Sequence, residues 1–131
     1  AEAQLASGDA TAARATLEAA ITSNMNHLGV NAADAAAYIA ALPATTDLEL
    51  IMNEKYIAMY THVEAWTDWR RTGYPMISAP ADANLNGIPR RMPYPEGEYL
   101  YNADNVPMPL SAAPDDKFGV TSTYRLWWDA N

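Results

Sequence analysis

The sequence has no cysteine and only two histidines, and basic side chains number 8 against 16 acidic ones in 131 residues. Without cysteine there is no disulfide framework and no thiolate metal site, although the compartment stays open. The net charge of −8 argues against a nucleic-acid face, which needs clustered lysine and arginine. Arg70 with Arg71 and Arg90 with Arg91 are only two local pairs. No stretch approaches the ~20 consecutive apolar residues of a membrane-spanning helix. There is no G-x-S-x-G elbow, no P-loop and no dinucleotide fingerprint.

The residues that could carry metal or acid–base chemistry are equally sparse. His27 and His62 fall on separate predicted helices, and His62 lacks a partner at i+4, the spacing of a helical zinc site. Asp82, Asn84, Asn86 and Gly87 follow the first half of a calcium loop, D-x-N-x-N-G. Pro93, however, stands where the bidentate glutamate belongs, so an Asn-Gly turn accounts for the segment better. Glu96, Glu98, Asp104, Asp115 and Asp116 supply carboxylates, but a glycosidase needs two held at a defined separation across a cleft. Solvation of acidic loops explains them without chemistry. No cofactor, metal or catalytic residue is expected.

What the chain does contain is length for one core and a composition that is half hydrophobic. The longest helical pattern runs from about Asp47 to Thr72. Leu48, Ile51, Met52, Tyr56, Met59, Val63 and Trp66 recur at steps of three and four, which defines one helical face. Thr46 and Glu49 suggest a capping box with Asp47 near the positive helix end, and Gly73 and Pro75 stop the helix. A single rod is expected, with Trp66 buried as its keystone and Trp69 partly exposed beside the arginines. Arg70 and Arg71, next to Trp66, Trp69 and Tyr74, could hold an anion, but cations in a last turn are explained by the helix dipole.

Upstream, Gly8 ends a first helical tail and Asp9 caps the next helix, predicted over 10–24 with Ala13, Leu17, Ala20 and Ile21 on one face. Arg14 and Glu18 form an i,i+4 pair outside it. Asn24 to Gly29 is expected to be a loop, followed by a helix from Ala32 to Leu42 capped by Asn31 and Asp34 and ended by Pro43. The alanine-rich pairing resembles half of a tetratricopeptide repeat. From Pro75 onward the character changes, with eight of the nine prolines there. Proline removes a donor and restricts its predecessor, so regular helix is not expected. The tyrosines and tryptophans crowded into the same region predict an ordered irregular coat, with short strands at 76–79 and 88–92. Among these aromatics Tyr99, Tyr101, Trp127 and Trp128 are the candidates for stacking on a sugar ring, against the alternative that they anchor the coat.

Several ordered motifs carry a resemblance. E-K-Y-I-A-M-Y (Glu54 to Tyr60), V-E-A-W-T-D-W-R-R-T-G-Y-P (Val63 to Pro75), I-P-R-R-M-P-Y-P (Ile88 to Pro95), E-Y-L-Y-N-A-D-N-V (Glu98 to Val106) and R-L-W-W-D (Arg125 to Asp129) resemble the C-terminal signature of the SusD/RagB family. Trp66, Arg70, Arg71, Tyr74, Pro75, Arg90 and Arg91 are the signature positions. The resemblance implies a mainly α-helical fold of tetratricopeptide-like pairs, helical over 1–74 and irregular over 75–131. It also implies a C-terminal portion of a longer protein, in agreement with Ala1 to Ala6, which look like a helix already under way. The implied role is non-catalytic binding of glycans or other nutrients, by a lipoprotein on the outer face of the outer membrane. The implied partner is a SusC-like TonB-dependent transporter. The family's glycan-binding aromatics lie mostly upstream and no matching sugar motif is present, so no site transfers. A tetratricopeptide-like scaffold for protein partners is the alternative.

Overall fold

The structure is a computed structural model that describes residues 1–81, 88–90, 92, 94–105 and 128–129. These fall into two units, Ala1–Pro75 and Met76–Asn131.

In the first unit the local signals act as the chain order suggests. Helix α1, Glu2–Ala6, closes at Gly8 (φ 89°), where the amides of Gly8 and Asp9 return to Leu5 O and Gln4 O. This double closure is a Schellman motif, which needs a left-handed residue at that point. Asp9 then accepts the Ala12 amide at 2.8 Å and caps α2, Ala10–His27. This helix is three residues longer than the pattern predicts. Its stop is Gly29 (φ 79°), with Gly29 and Val30 amides bonding back to Asn26 O and Met25 O in a second Schellman closure. The asparagines at 24 and 26 therefore lie within the last turns. Asn31 accepts the Asp34 amide at 2.9 Å and starts α3, Ala32–Ala41.

The next segment departs from expectation. Asp47, not Thr46, is the cap, accepting the Leu50 amide at 2.8 Å and starting α4 one residue late. The expected single rod is two helices: α4 is Leu48–Ala58 and α5 is Val63–Thr72. Between them the chain turns through Thr61 at φ 70°, with the His62 amide closing onto Met59 O at 2.9 Å. The physical reason lies in side chains on either side of the turn. Lys55 and Asp68 form an ion pair at 2.6 Å, yet thirteen residues along one straight helix would be about 20 Å apart. Only a break lets them meet. Helix α5 then ends as predicted at Gly73 (φ 78°), whose amide returns to Trp69 O at 2.8 Å, and the Tyr74–Pro75 peptide is cis.

A β-branched threonine in the left-handed region is strained, and glycine adopts it freely. Thr61→Gly is therefore expected to stabilise the fold by about 0.5–1 kcal/mol, read from denaturant midpoints. A loss of stability would show that the Thr61 side chain holds the corner by contacts that outweigh its backbone cost.

The core of this unit is Leu17 and Ile21 of α2 with Leu50, Ile51 and Met52 of α4. Leu5, Met25, Tyr38, Ile39, Leu42 and Tyr74 pack around it. Helix α2 is the centre, contacting α1, α3 and α4. Ala13 and Ala35, both fully buried, present little more than backbone on α2 and α3 and so let helices approach closely.

In the second unit a short helix, α6 (Glu96–Tyr101), and one 3-10 turn, Ala103–Asn105, stand where no regular helix was expected. Proline is tolerated here because Pro95 sits at the cap, where its missing donor costs nothing, and Glu96 and Glu98 suit the positive helix end. Among the described residues no strand forms, including 76–79 and 88–90. Pro75, Pro80 and Pro89 deny those stretches ladder donors.

Candidate functional site

The family-like signature resolves into an ionic bracket. Asp68, a nearly buried residue of α5, takes Lys55 Nζ of α4 on Oδ2 at 2.6 Å and Arg71 Nη2 on Oδ1 at 2.8 Å. Arg71 reaches on to the carboxylate of Glu2 in α1, with Nη2 to Oε2 at 3.0 Å and a second contact from Nη1 to Oε1. Three helices are thus tied by four charges. Burial alone would raise the Asp68 carboxyl, but hydrogen bonds and charge from Lys55 and Arg71 outweigh it and hold the group below the ordinary carboxylate range. The hydrogen bonds that the Arg71 guanidinium donates to Glu2 and Asp68 likewise raise its pKa.

Arg70 lies beside this bracket with its guanidinium carbon 3.7 Å from the ring centroid of Trp66, a cation–π stack. The two tryptophans are reversed from expectation. Trp69 is buried at 7 % exposure, and Trp66 is only partly buried under Arg70. The apolar stripe fails in the same way: Tyr56 and Val63 are exposed. Counting at helical period through residues 59–62 carries the register across a turn that rotates the second helix. Thr72 completes the arrangement, its hydroxyl donating to Asp68 O at 2.8 Å and accepting the Tyr74 amide at 3.2 Å. Arg70 and Arg71 are therefore both engaged within the protein.

The other sequence candidates are dispersed. His27 is the last residue of α2 and His62 precedes α5. Among the described residues no three His, Asp or Glu side chains gather at metal-binding distance. Asp82 to Gly87, Arg91, Asp115, Asp116 and Trp127 lie outside the described residues. Tyr99 meets Tyr94 edge-on, with centroids 6.4 Å apart, and its hydroxyl is buried with no hydrogen-bond partner among the described residues. Trp128 is partly buried, next to Asp129, which forms a buried ion pair with Arg90. Tyr101 is the exception, at 90 % exposure.

Three features escaped the sequence. The buried role of Asp68 depends on partners 13 residues before it and three after, of which only the Arg71 spacing was visible. Tyr60, 80 % exposed at the α4–α5 corner, was hidden by its place in an apparent helix. A half-open apolar cavity of about 390 Å³ lies between α2 and α4, with Tyr38 and Glu54 on its lining.

The geometry defines a helical first unit in which Arg70 and Arg71 are engaged within the fold and the exposed aromatic rings are those of Tyr56 and Tyr60. Residues 1–129 match the SusD-like family, described as Susd and RagB outer membrane lipoprotein, and the chain belongs to that family. Its members are outer-membrane lipoproteins of the nutrient- and glycan-binding class. No curated protein and no solved structure matches the chain.

Proposed function

We propose that the protein captures oligosaccharides at the cell-surface side of the outer membrane and hands them to a SusC-like TonB-dependent transporter. It acts without covalent change to the ligand and is held to the membrane by a lipid anchor. The observation that supports this reading is the family match, which runs through both units. Its test is a pull-down from outer-membrane extract combined with a glycan array. Recovery of a TonB-dependent barrel together with array binding is the expected result. Product release from a polysaccharide panel, or binding of neither barrel nor glycan, would overturn it.

For sugar contact within this chain, Tyr101 is the candidate whose ring is open. A pyranose presents a CH face to an aromatic ring, so a single exposed tyrosine gives one stacking surface and little enclosure. Titration calorimetry of the chain with an oligosaccharide panel is expected to give dissociation constants near or above about 1 mM. Tyr101→Ala should remove what binding there is. A low-micromolar constant would reveal an enclosed site and refute this reading of the aromatics.

A further inference from the structure

The corner between α4 and α5 is held against its own local preferences. Residues 59–62 contain no glycine or proline, and apolar residues continue across them at helical spacing. Thr61 is in the left-handed region at φ 70°, which strains a β-branched side chain. The amides of Thr61, Val63 and Glu64 donate to no acceptor among the described residues, and His62 gives α5 no side-chain cap. One continuous helix through the corner would remove the strain. It would also give those three amides the carbonyls of Ile57, Met59 and Tyr60, four residues before each. Exposed amides find water instead, so each gain is modest, but every term has the same sign.

What opposes straightening is tertiary. Asp68 meets Lys55, and Trp69 is buried. Among the helices of the first unit, α5 makes its backbone contacts with α4 alone. A straight helix would carry Asp68 about 20 Å from Lys55 of its own chain and withdraw Trp69 from its burial. A second copy that has straightened in the same way supplies what is lost, because it offers an identical vacated position and an identical α5 to fill it. Exchange between two copies thus satisfies the local and the tertiary preferences together.

We propose that two copies of the chain exchange α5. In each copy α4 and α5 join as one helix through residues 59–62, and α5, with the chain that follows it, takes the place of its counterpart in the other copy. Asp68 then pairs with Lys55 of the second copy, and Arg71 with that copy's Glu2. The occupant is fixed by identity, since every contact of the closed chain is remade between copies. That is why exchange of identical elements is a low-cost route to a dimer and why short strained hinges invite it. The charge of −8 on each copy opposes association, so salt, which screens that repulsion, favours the dimer. The ion pairs are the same in both forms and do not shift the balance. The exchange is independent of any sugar contact at Tyr101.

The 131-residue chain is refolded from denaturant at low micromolar and at millimolar concentration, and its mass is read by size exclusion with light scattering. A dimer whose share rises with the concentration during refolding is expected. Thr61→Gly accepts the bent conformation without strain and weakens a continuous helix, at two hinges per dimer. It should raise the dimer dissociation constant at least about tenfold. Lys55→Glu and Asp68→Lys, made on separate chains, test the exchange itself. Alone, each variant sets like charges against one another in either form. Mixed, the exchanged dimer sets the introduced glutamate against the introduced lysine at one corner and native Lys55 against native Asp68 at the other. The mixed dimer should therefore outnumber both dimers of like chains, and recovery on mixing of a variant that does not fold alone is the same result. A chain that stays monomeric at every refolding concentration, a dimer indifferent to Thr61→Gly, or a mixture with no preference for the mixed dimer would overturn the proposal.

Discussion

Trp69→Ala is expected to remove about 3–5 kcal/mol of stability, most or all of what a ~5–15 kcal/mol fold possesses. The indole is 7 % exposed in the last turns of α5, so truncation leaves both lost burial and a cavity. Trp66 is three residues earlier and only partly buried, with the Arg70 guanidinium on its face. Less of its surface is withdrawn from water, and the stack on Arg70 adds about 0.5–2 kcal/mol. Trp66→Ala should therefore cost at least about 1 kcal/mol less than Trp69→Ala. Denaturant titration of the two variants decides it. Equal losses, or a larger loss at Trp66, would mean that the inward face of α5 has been assigned the wrong way round.

The second large effect is at Asp68. Asp68→Asn keeps the shape and removes the charge, which leaves Lys55 and Arg71 facing an amide. A buried pair broken on one side typically costs ~3–5 kcal/mol. Here the two cations retain 39 % and 40 % side-chain exposure and can recover part of their hydration, so a loss of about 2–3 kcal/mol is expected. The effect depends on pH with a definite sign. The folded carboxyl titrates lower than the unfolded one, whose pKa is about 3.9. The folded state thus binds its proton less readily, and the stabilisation is complete above the unfolded value and lost as pH falls through the folded one. Unfolding free energies for the parent and Asp68→Asn should differ fully at neutral pH and converge in acid. A gap that stays constant down to pH 2 would assign the stabilisation to something other than the ionised carboxylate.

The parts of this architecture that were legible in the sequence are those fixed by neighbours. Asp9 and Asn31 act as caps within three residues of the amides they accept, and Gly73 closes α5 one residue after its end. Arg14 and Glu18 meet at 2.6 Å one helical turn apart. The α4–α5 break was not legible, because residues 59–62 contain neither glycine nor proline and their apolar spacing suits a continuous helix. What bends the chain there is the sum of contacts made elsewhere, Lys55 to Asp68 and Arg71 to Glu2. The reversal of Trp66 and Trp69 follows from that single miscount. The candidate site was legible only as residue types: Tyr99 and Tyr101 look equivalent in sequence, while one is engaged edge-on and the other is open. The α2–α4 cavity could not be read at all, because its walls are about thirty residues apart along the chain.

The Glu2–Arg71 pair has a topological consequence. Its partners are 69 residues apart, one in the opening turn of the first unit and one in its final helical turn. The chain therefore enters and leaves this unit at a single spot, as it does in modules that accept circular permutation or insertion into a host. Glu2 and Arg71 act as a clasp at the neck of a closed helical loop. Lengthening the chain at the exposed Leu28–Gly29 turn would leave this clasp untouched.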